Sequence, residues 1–493
     1  MSQSMHSRFQ DPAKPCRYYM GPAIGHLAST IEMAKLLVNR DDRLSITILI
    51  MTLPFDTKLG AYAEALAASP MAKRIKFIKL PQDNTDHGEA NPAKFFNLAI
   101  EAQKSHVKEA VKNLVQSNSN PSSSKLAGFV IDMFCTTMID VANEFGVPTY
   151  MFFTSGAGFL GLVLHLQTLY EEHNVDTTEL KDSDTELRIP YFVNSVPAKV
   201  LPLMFLVKEA APITRNYLRR YKEVKGIIVN TFMELESHAI HSFSDDTPTV
   251  YPVGPLLNLK GNSQVGSGGT QQGQDIIKWL EEQPSSSVVF LCFGSMGSFS
   301  GDQVKEIAFA LEKSEVHFLW SLRKPPPKNK MAIASDYSNL EEVLPEGFLD
   351  RTAEIGRVIG WAPQVDILAH TAIAAFVSHC GWNSTLESLY FGVPLATWPI
   401  YAEQHINAFE LVKELGLAVE ITMDYRKDFL KESEMLVSSE QIVRGIKCVM
   451  EQDSEIRKKM KEMSENSRKV LTEGGSSYCF LGRLIDDVMH NIP

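Results

Sequence analysis

Short, unbroken apolar runs separated by amphipathic stretches recur along almost the whole chain, and this alternation leaves few architectures open to it. In the first half the runs are Ser45–Met51, Ile75–Leu80, Leu126–Asp132, Val147–Phe153 and Gly226–Asn230, with helical patterning between them, as at Leu27–Asn39 and Pro92–Gln116. A strand that is apolar at every position is covered on both faces, and strands alternating with helices pair in parallel. The expected class is therefore α/β with doubly wound sheets. A Gly/Ser/Gln-rich stretch interrupts the pattern within Tyr251–Gly273. It resumes at Val288–Phe293, Val316–Ser321, Arg357–Gly360, Ala372–Val377 and Val393–Thr397. At 493 residues the chain is longer than one hydrophobic core supports. Two domains are expected, 1–250 and 276–470, joined by a linker at 251–275. The residues 471–493 carry apolar positions at helical spacing and are expected to close the chain as a helix on the first domain. Ser117–Lys125 and Lys328–Asn339 read as polar surface insertions.

The chain has 59 acidic and 48 basic residues, a net charge of −11. That balance argues against nucleic acid or an anionic membrane as the main partner. No run approaches the roughly 18 apolar residues of a membrane span, and the first twenty residues lack the apolar core of a secretory signal. Six cysteines, Cys16, Cys135, Cys292, Cys380, Cys448 and Cys479, are scattered without a C-x-x-C pair. They read as reduced, buried thiols of a cytoplasmic protein. A monomer is expected.

The most informative stretch runs from Trp361 to Gln404. Its local pattern is loop, helix, strand, a turn through His379 and Gly381, helix, strand, loop. A helix that starts after a strand and a Gly-containing turn receives phosphate at its N-terminus. The stretch contains no Lys or Arg, so a diphosphate here would be held by backbone N–H groups, the helix dipole, hydroxyls and amides. His379, Asn383 and Ser384 are placed for that task. Trp361 and Trp382 offer flat faces for a base or a sugar, and Glu387, Glu403 and Gln404 can bond sugar hydroxyls. Taken one at a time, a tryptophan is ordinary packing and an Asn–Ser pair an ordinary helix cap. The joint spacing is what points to a ligand.

This stretch resembles the signature box of plant family-1 UDP-dependent glycosyltransferases along its whole length, through WAPQ, HCGWNS, ES, GVP and AEQ. The similarity extends upstream to Phe293–Ser300 and downstream to Gly474–Met489. The resemblance implies a GT-B fold of two facing Rossmann-like domains. It implies that Trp361 stacks on uracil with Ala362 beside it, and that Gln364 and Glu387 bind ribose. His379, Asn383, Ser384 and Ser295 would hold the diphosphate, while Trp382, Glu403 and Gln404 would read the sugar. Gln404 favours glucose. The implied donor is UDP-glucose, a co-substrate; no cofactor is expected. One departure is the pair Ala374 and Ala375, where the family commonly has glycine.

His26 opens the first helix after the first strand, and Asp132 ends the run Leu126–Asp132 at the same sheet edge. On pattern alone the two need not touch. The resemblance makes them a catalytic dyad, with Thr154 near the donor sugar. A histidine with a reference pKa of about 6.5 suits removal of an alcohol proton at neutral pH. The implied reaction is an inverting, metal-independent transfer that yields a β-glucoside. The D-x-D triplet Asp182–Asp184 lies in a polar loop and is not expected to hold a metal. Phe95–Ala99, Phe152–Leu166 and Tyr191–Leu206 are candidate linings for a small lipophilic acceptor, a flavonoid, another phenol or a terpenoid. One expectation cuts the other way. Pro15 and Arg17 are costly in a central, doubly covered first strand. Two alternatives therefore stay open beside the active glucosyltransferase: a catalytically weak UDP-sugar-binding protein, and the same enzyme with another UDP-sugar.

Overall fold

A doubly covered strand favours apolar side chains, so each such run becomes a strand at the centre of a layer, with helices on both sides. The structure is a computed structural model that describes residues 16–21, 24–51, 74–82, 92–117, 125–259, 271–326, 334–426 and 435–490. The first domain contains β1 (Cys16–Gly21), β2 (Ser45–Ile50), β3 (Ile75–Lys79), β4 (Leu126–Asp132) and β5 (Thr149–Phe153). A small antiparallel hairpin of β6 (Glu186–Leu187) and β7 (Val196–Pro197) follows, then β8 (Gly226–Val229) and β9 (Thr249–Pro252). The sheet order is β3-β2-β1-β4-β5-β8-β9, and every pairing is parallel. The second domain contains β10 (Val288–Cys292), β11 (His317–Ser321), β12 (Gly356–Ile359), β13 (Ile373–Ser378), β14 (Leu395–Thr397) and β15 (Ala418–Glu420). Its order is β12-β11-β10-β13-β14-β15, again parallel throughout. This is the GT-B arrangement of two Rossmann-like domains.

In each sheet the strand order reverses once, between β1 and β4 and between β10 and β13. The crevice beyond the strand ends at such a reversal is where open α/β sheets bind ligands. Both candidate sites sit there. The helix Ile24–Arg40 follows β1 and carries His26, while β4 ends at Asp132. β10 leads into Gly294 and Ser295, and β13 leads into His379.

The first strand forms despite its composition: β1 pairs with β2 from Cys16↔Ser45 to Gly21↔Ile50, and with β4 as far as Met20↔Ile131. The Arg17 side chain and Pro15 lie outside the described residues. Ala374 and Ala375 are buried in β13, so their methyls fill the layer. The stretch Pro92–Gln116 is not one helix but two, Pro92–Ala102 and Lys104–Ser117. Gln103 breaks it, buried and bonded through Nε2 to the Pro81 carbonyl at 3.3 Å. The interruption at 251–275 is shorter at both ends: β9 extends to Pro252 and a helix occupies Gln271–Glu281. Residues 260–270, 118–124 and 327–333, within the expected linker and insertions, lie outside the described residues.

The helix Ser476–His490 buries Leu481, Leu484, Ile485 and Val488 in the core that contains Leu27, Ile31 and Leu37 of the helix Ile24–Arg40. The i, i+3, i+4, i+7 spacing makes one apolar face, and each such side chain contributes roughly 1.5–3 kcal/mol when fully buried. The last helix thus returns to the first domain. The cysteine expectation needs correcting. Cys135, Cys292 and Cys380 are buried, but Cys448 and Cys479 are exposed. No helix of the described residues is long and apolar enough to cross a membrane.

Candidate active site

The first half of the site grows from the β1/β4 reversal. Because β1 and β4 are neighbours in register, the residues just beyond their ends converge. His26 Nδ1 lies 2.6 Å from Asp132 Oδ2. Asp132 is fully buried, and its other oxygen accepts the Phe134 N–H at 3.0 Å. Both carboxylate oxygens are therefore committed and the group is fixed. Thr154, at the end of β5, places Oγ1 3.2 Å from both Nδ1 and Nε2 of His26. Burial pulls the His26 pKa down, but the Asp132 charge and hydrogen bond, aided by the Glu403 carboxylate, raise it above its usual value. Phe134 stacks on the imidazole at 5.7 Å and 16°, and it meets the edges of Phe96 and Tyr217. The base thus opens toward an aromatic wall.

The second half grows from the β10/β13 reversal. Ser295, Trp361, Ala362, Gln364, Ser384 and Glu387 line one cavity of roughly 200 Å³. Gln364 Nε2 donates to Ser384 Oγ at 2.9 Å and to Glu387 Oε2 at 2.6 Å. Burial pushes Glu387 up to about 7, with the Gln364 bond pulling the other way. His379 is packed between glycines. A Cβ on Gly294 would approach its Nε2 to 2.7 Å, and one on Gly381 to 2.6 Å. Burial drives its pKa down to about 4, partly offset by a hydrogen bond with the Cys292 backbone. The imidazole is therefore neutral, and among the described residues its buried Nδ1 has no partner. A buried polar atom without a partner is costly, and a neutral ring that spends its one N–H on the Cys292 backbone leaves Nδ1 as an acceptor. The turn before the helix Trp382–Phe391 is tight, with Cys380 at φ +62°. The first N–H groups of that helix have no intrahelical acceptor, which makes its N-terminus receptive to an anion.

Two residues sit differently from a simple ligand platform. The Trp382 indole is buried: its ring lies against Gly156 of the first domain, and Nε1 donates to the Asn230 carbonyl at 2.7 Å. Asn383 Nδ2 donates to the Gly25 carbonyl at 3.1 Å, and its Oδ1 accepts from Ser29 Oγ at 3.1 Å. Both therefore bridge the domains. Glu403 precedes the helix Gln404–Phe409. Burial raises its pKa against the pull of His26, so it lies close enough to the base to feel its charge. Gln404 Oε1 accepts from the backbone N–H groups of Ile400 and Tyr401 at 2.9 and 3.1 Å.

The seam between the domains holds a second carboxyl pair. Glu236 caps the helix Ala157–His173, accepting from Ala157 N at 2.9 Å and Gly158 N at 2.6 Å. Glu410 of the second domain faces it. Burial and the Glu236 carboxylate raise the Glu410 pKa well above its ordinary value.

Sequence reasoning missed Arg323, and the pocket is not free of cations as the box alone implied. Arg323 follows β11 and lines the same cavity. It lies 5.2 Å from the Trp361 ring centre and is held by Asp336 at 3.2 Å. The available signal was its position, a cation just beyond the C-terminal end of an apolar strand. Asp182 and Asp184 fall in the turn after the 3₁₀ helix Thr177–Leu180.

Two Rossmann-like domains that turn their ligand edges toward each other, with a phosphate-type helix start in one and an imidazole–carboxylate pair in the other, define a GT-B glycosyltransferase. The chain belongs to the UDP-glucoronosyl and UDP-glucosyl transferase family, whose model matches residues 57–454. Its curated relatives include a UDP-glucose flavonoid 3-O-glucosyltransferase of Fragaria ananassa. That protein is 58% identical over 474 residues, covering 95% of this chain and 97% of the relative. Among solved structures, a Siraitia grosvenorii glycosyltransferase in complex with UDP superposes with a TM-score of 0.85 at 50% identity, covering 97% of this chain and 100% of that one. The Medicago truncatula protein UGT71G1 complexed with UDP-glucose gives 0.83 at 42% identity, covering 96% and 98%. The protein is a UDP-glycosyltransferase.

Proposed function

We propose that the protein transfers glucose from UDP-glucose to a hydroxyl of a small lipophilic acceptor, a flavonoid, another phenol or a terpenoid. Transfer inverts the anomeric centre, gives a β-O-glucoside and requires no metal. The observation that carries this reading is the 2.6 Å contact of His26 Nδ1 with the buried Asp132 carboxylate. Asp132 occupies Nδ1, so Nε2 is the nitrogen that takes the acceptor proton. The acceptor oxygen attacks the anomeric carbon from the face opposite UDP as its proton leaves. Asp132 stabilises the imidazolium that forms. Charge that develops on the departing diphosphate meets the first N–H groups of the helix Trp382–Phe391.

The aromatic wall of Phe134, Phe96 and Tyr217 beside the base suits a flat acceptor. The Fragaria relative's name as a flavonoid 3-O-glucosyltransferase supports the same class. Glucose is supported by UDP-glucose in the Medicago structure. In this chain, the Gln404 oxygen is committed to backbone N–H groups, which leaves its amide N–H₂ for a hexose hydroxyl. The alternative of a weak sugar-nucleotide binder rested on the first strand; β1 pairs with β2 along its whole length and with β4 from Arg17 to Met20 after a register shift at Cys16, which supports catalysis instead.

The test is product analysis with UDP-glucose, UDP-galactose and UDP-xylose against a flavonol, a simple phenol and a terpenoid alcohol. The expected result is one β-glucoside with equimolar UDP from UDP-glucose, unaffected by EDTA. His26→Ala should abolish turnover and still bind UDP. Absence of any glycoside above UDP hydrolysis, or full turnover by His26→Ala, would overturn the reading.

A further inference from the structure

The two halves of the site are joined directly at the turn that carries the base. Asn383 is the second residue of the helix whose N-terminus faces the diphosphate position. Both ends of its amide are bonded to the first two turns of the helix Ile24–Arg40: Nδ2 to the Gly25 carbonyl and Oδ1 to Ser29 Oγ, each at 3.1 Å. Gly25 and Ser29 lie one helical turn apart on the same face, immediately beside His26. Ser29 is buried, and its hydroxyl also approaches the Gly25 carbonyl at 3.4 Å. Thr30, its neighbour, bonds the His26 carbonyl at 2.7 Å. Ser29 has one O–H, which serves the shorter contact to the Asn383 amide oxygen, so the amide is clasped between the Gly25 carbonyl and the Ser29 hydroxyl beside the turn that aims the imidazole.

We propose that Ser29 is a positioning residue for the transfer step. With Asn383 it sets the distance between the His26 imidazole and the sugar held by the opposite domain. An amide nitrogen carries two N–H groups. One is used on Gly25, and the other remains for a phosphate oxygen. The side chain that meets the donor therefore also grips the helix of the base, and Ser29 locks that grip by occupying the amide oxygen. Reacting groups must stand about 3–3.5 Å apart, and a misplacement of about 1 Å costs about 100-fold in rate. A partial loosening of this clasp should therefore be visible in kcat. The proposal rests on the reading of His26 as the base.

The experiment is a double-mutant cycle on the full-length enzyme with Ser29→Ala, Ser29→Thr, Asn383→Ala and the double variant Ser29→Ala/Asn383→Ala. It measures kcat and KM for acceptor and donor, the UDP dissociation constant by calorimetry, and the pH profile. Ser29→Ala should lower kcat about 10-fold with the UDP dissociation constant within about twofold of the wild type. The acid limb of its pH profile should stay in place, because Ser29 touches the helix and not the imidazole. Ser29→Thr keeps the hydroxyl and should recover most of the loss. In the Asn383→Ala background, Ser29→Ala should have no further effect on kcat. Wild-type kcat in Ser29→Ala overturns the proposal, as does an equal loss in both backgrounds. A parallel fall of kcat and UDP affinity overturns it as well, since that pattern marks a defect of the donor site or of folding. If the wild-type protein makes no glycoside, the functional reading fails and the proposal falls with it. If the wild type turns over and Ser29→Ala matches it, only the clasp fails.

Discussion

Replacing Asp132 by asparagine keeps the shape of the side chain, removes its charge, and should do more harm than the lost charge alone. The Phe134 N–H lies 3.0 Å from Asp132 Oδ1 and needs an acceptor. In the variant the amide oxygen must take that place, which turns the amide N–H₂ toward His26 Nδ1. That nitrogen then has to accept, so the imidazole carries its proton on Nε2, the atom that should receive the proton of the acceptor. A charge-assisted hydrogen bond of this kind is worth about 1.5–3 kcal/mol. The interaction of two charges near 4 Å approaches about 4 kcal/mol at an effective dielectric of 20. The expected fall in kcat is therefore about 10- to 1,000-fold, at about 1.4 kcal/mol per tenfold. The pH profile adds a second readout. The base works when neutral, and Asp132 holds its pKa above 6.5. Wild-type kcat/KM should accordingly rise with pH through an inflection above 6.5. In Asp132→Asn burial is no longer opposed by the carboxylate, so the inflection should move to lower pH. Initial rates of glucoside formation from pH 5 to 9 measure both, with UDP binding by calorimetry as the control for folding. A variant within threefold of the wild type, or an unmoved acid limb, would refute the assignment of Asp132 as the partner that holds the tautomer.

Three further outcomes can be checked. Trp361→Leu removes a ring backed by Arg323. Loss of base stacking worth about 1–3 kcal/mol should weaken UDP binding by about 5- to 150-fold in calorimetry, and unchanged binding would remove Trp361 from the base site. Gly381→Ala would place a methyl 2.6 Å from His379 Nε2. Overpacking of about 1–3 kcal/mol should lower both Tm and UDP affinity, and an unchanged affinity would separate His379 from the diphosphate. His379 is held down to about 4 by burial, below its unfolded value of about 6.5. Its contribution to stability is therefore complete above pH 6.5 and is lost as the pH falls toward 4. Urea midpoints at pH 7, 5 and 4 should show a fall that is shallower in His379→Gln.

The two sheets were legible because a strand covered on both faces is mostly apolar along its length. Leu126–Asp132 is a strand over the residues its apolar run marks. Val147–Phe153 begins later, at Thr149, because proline at 148 has no N–H for the ladder. The break at Gln103 was not legible. No Gly or Pro marks it, and a buried bond to Pro81, distant in sequence, sets it. The turn through His379 and the helix start after it follow from local pattern. The meeting of His26 with Asp132 depends on which strands are neighbours, which the two segments do not state. Arg323 escaped notice because it belongs to a βα unit upstream of the motif and reaches the cavity only through the β11–β10–β13 order. Trp382 read as a flat face for a base or a sugar, and local spacing says nothing of the other domain, against which its indole is lodged.

The buried seam has a consequence for anyone recombining members of this family. Trp382 needs the Asn230 carbonyl and the absence of a side chain at Gly156, and Glu410 is buried against Glu236. Each partnership crosses the boundary at which a chimera would be cut. Grafting a foreign acceptor half onto this donor half should succeed only where positions 156, 230 and 236 travel with a compatible 382 and 410. The two lobes are heritable as a matched set.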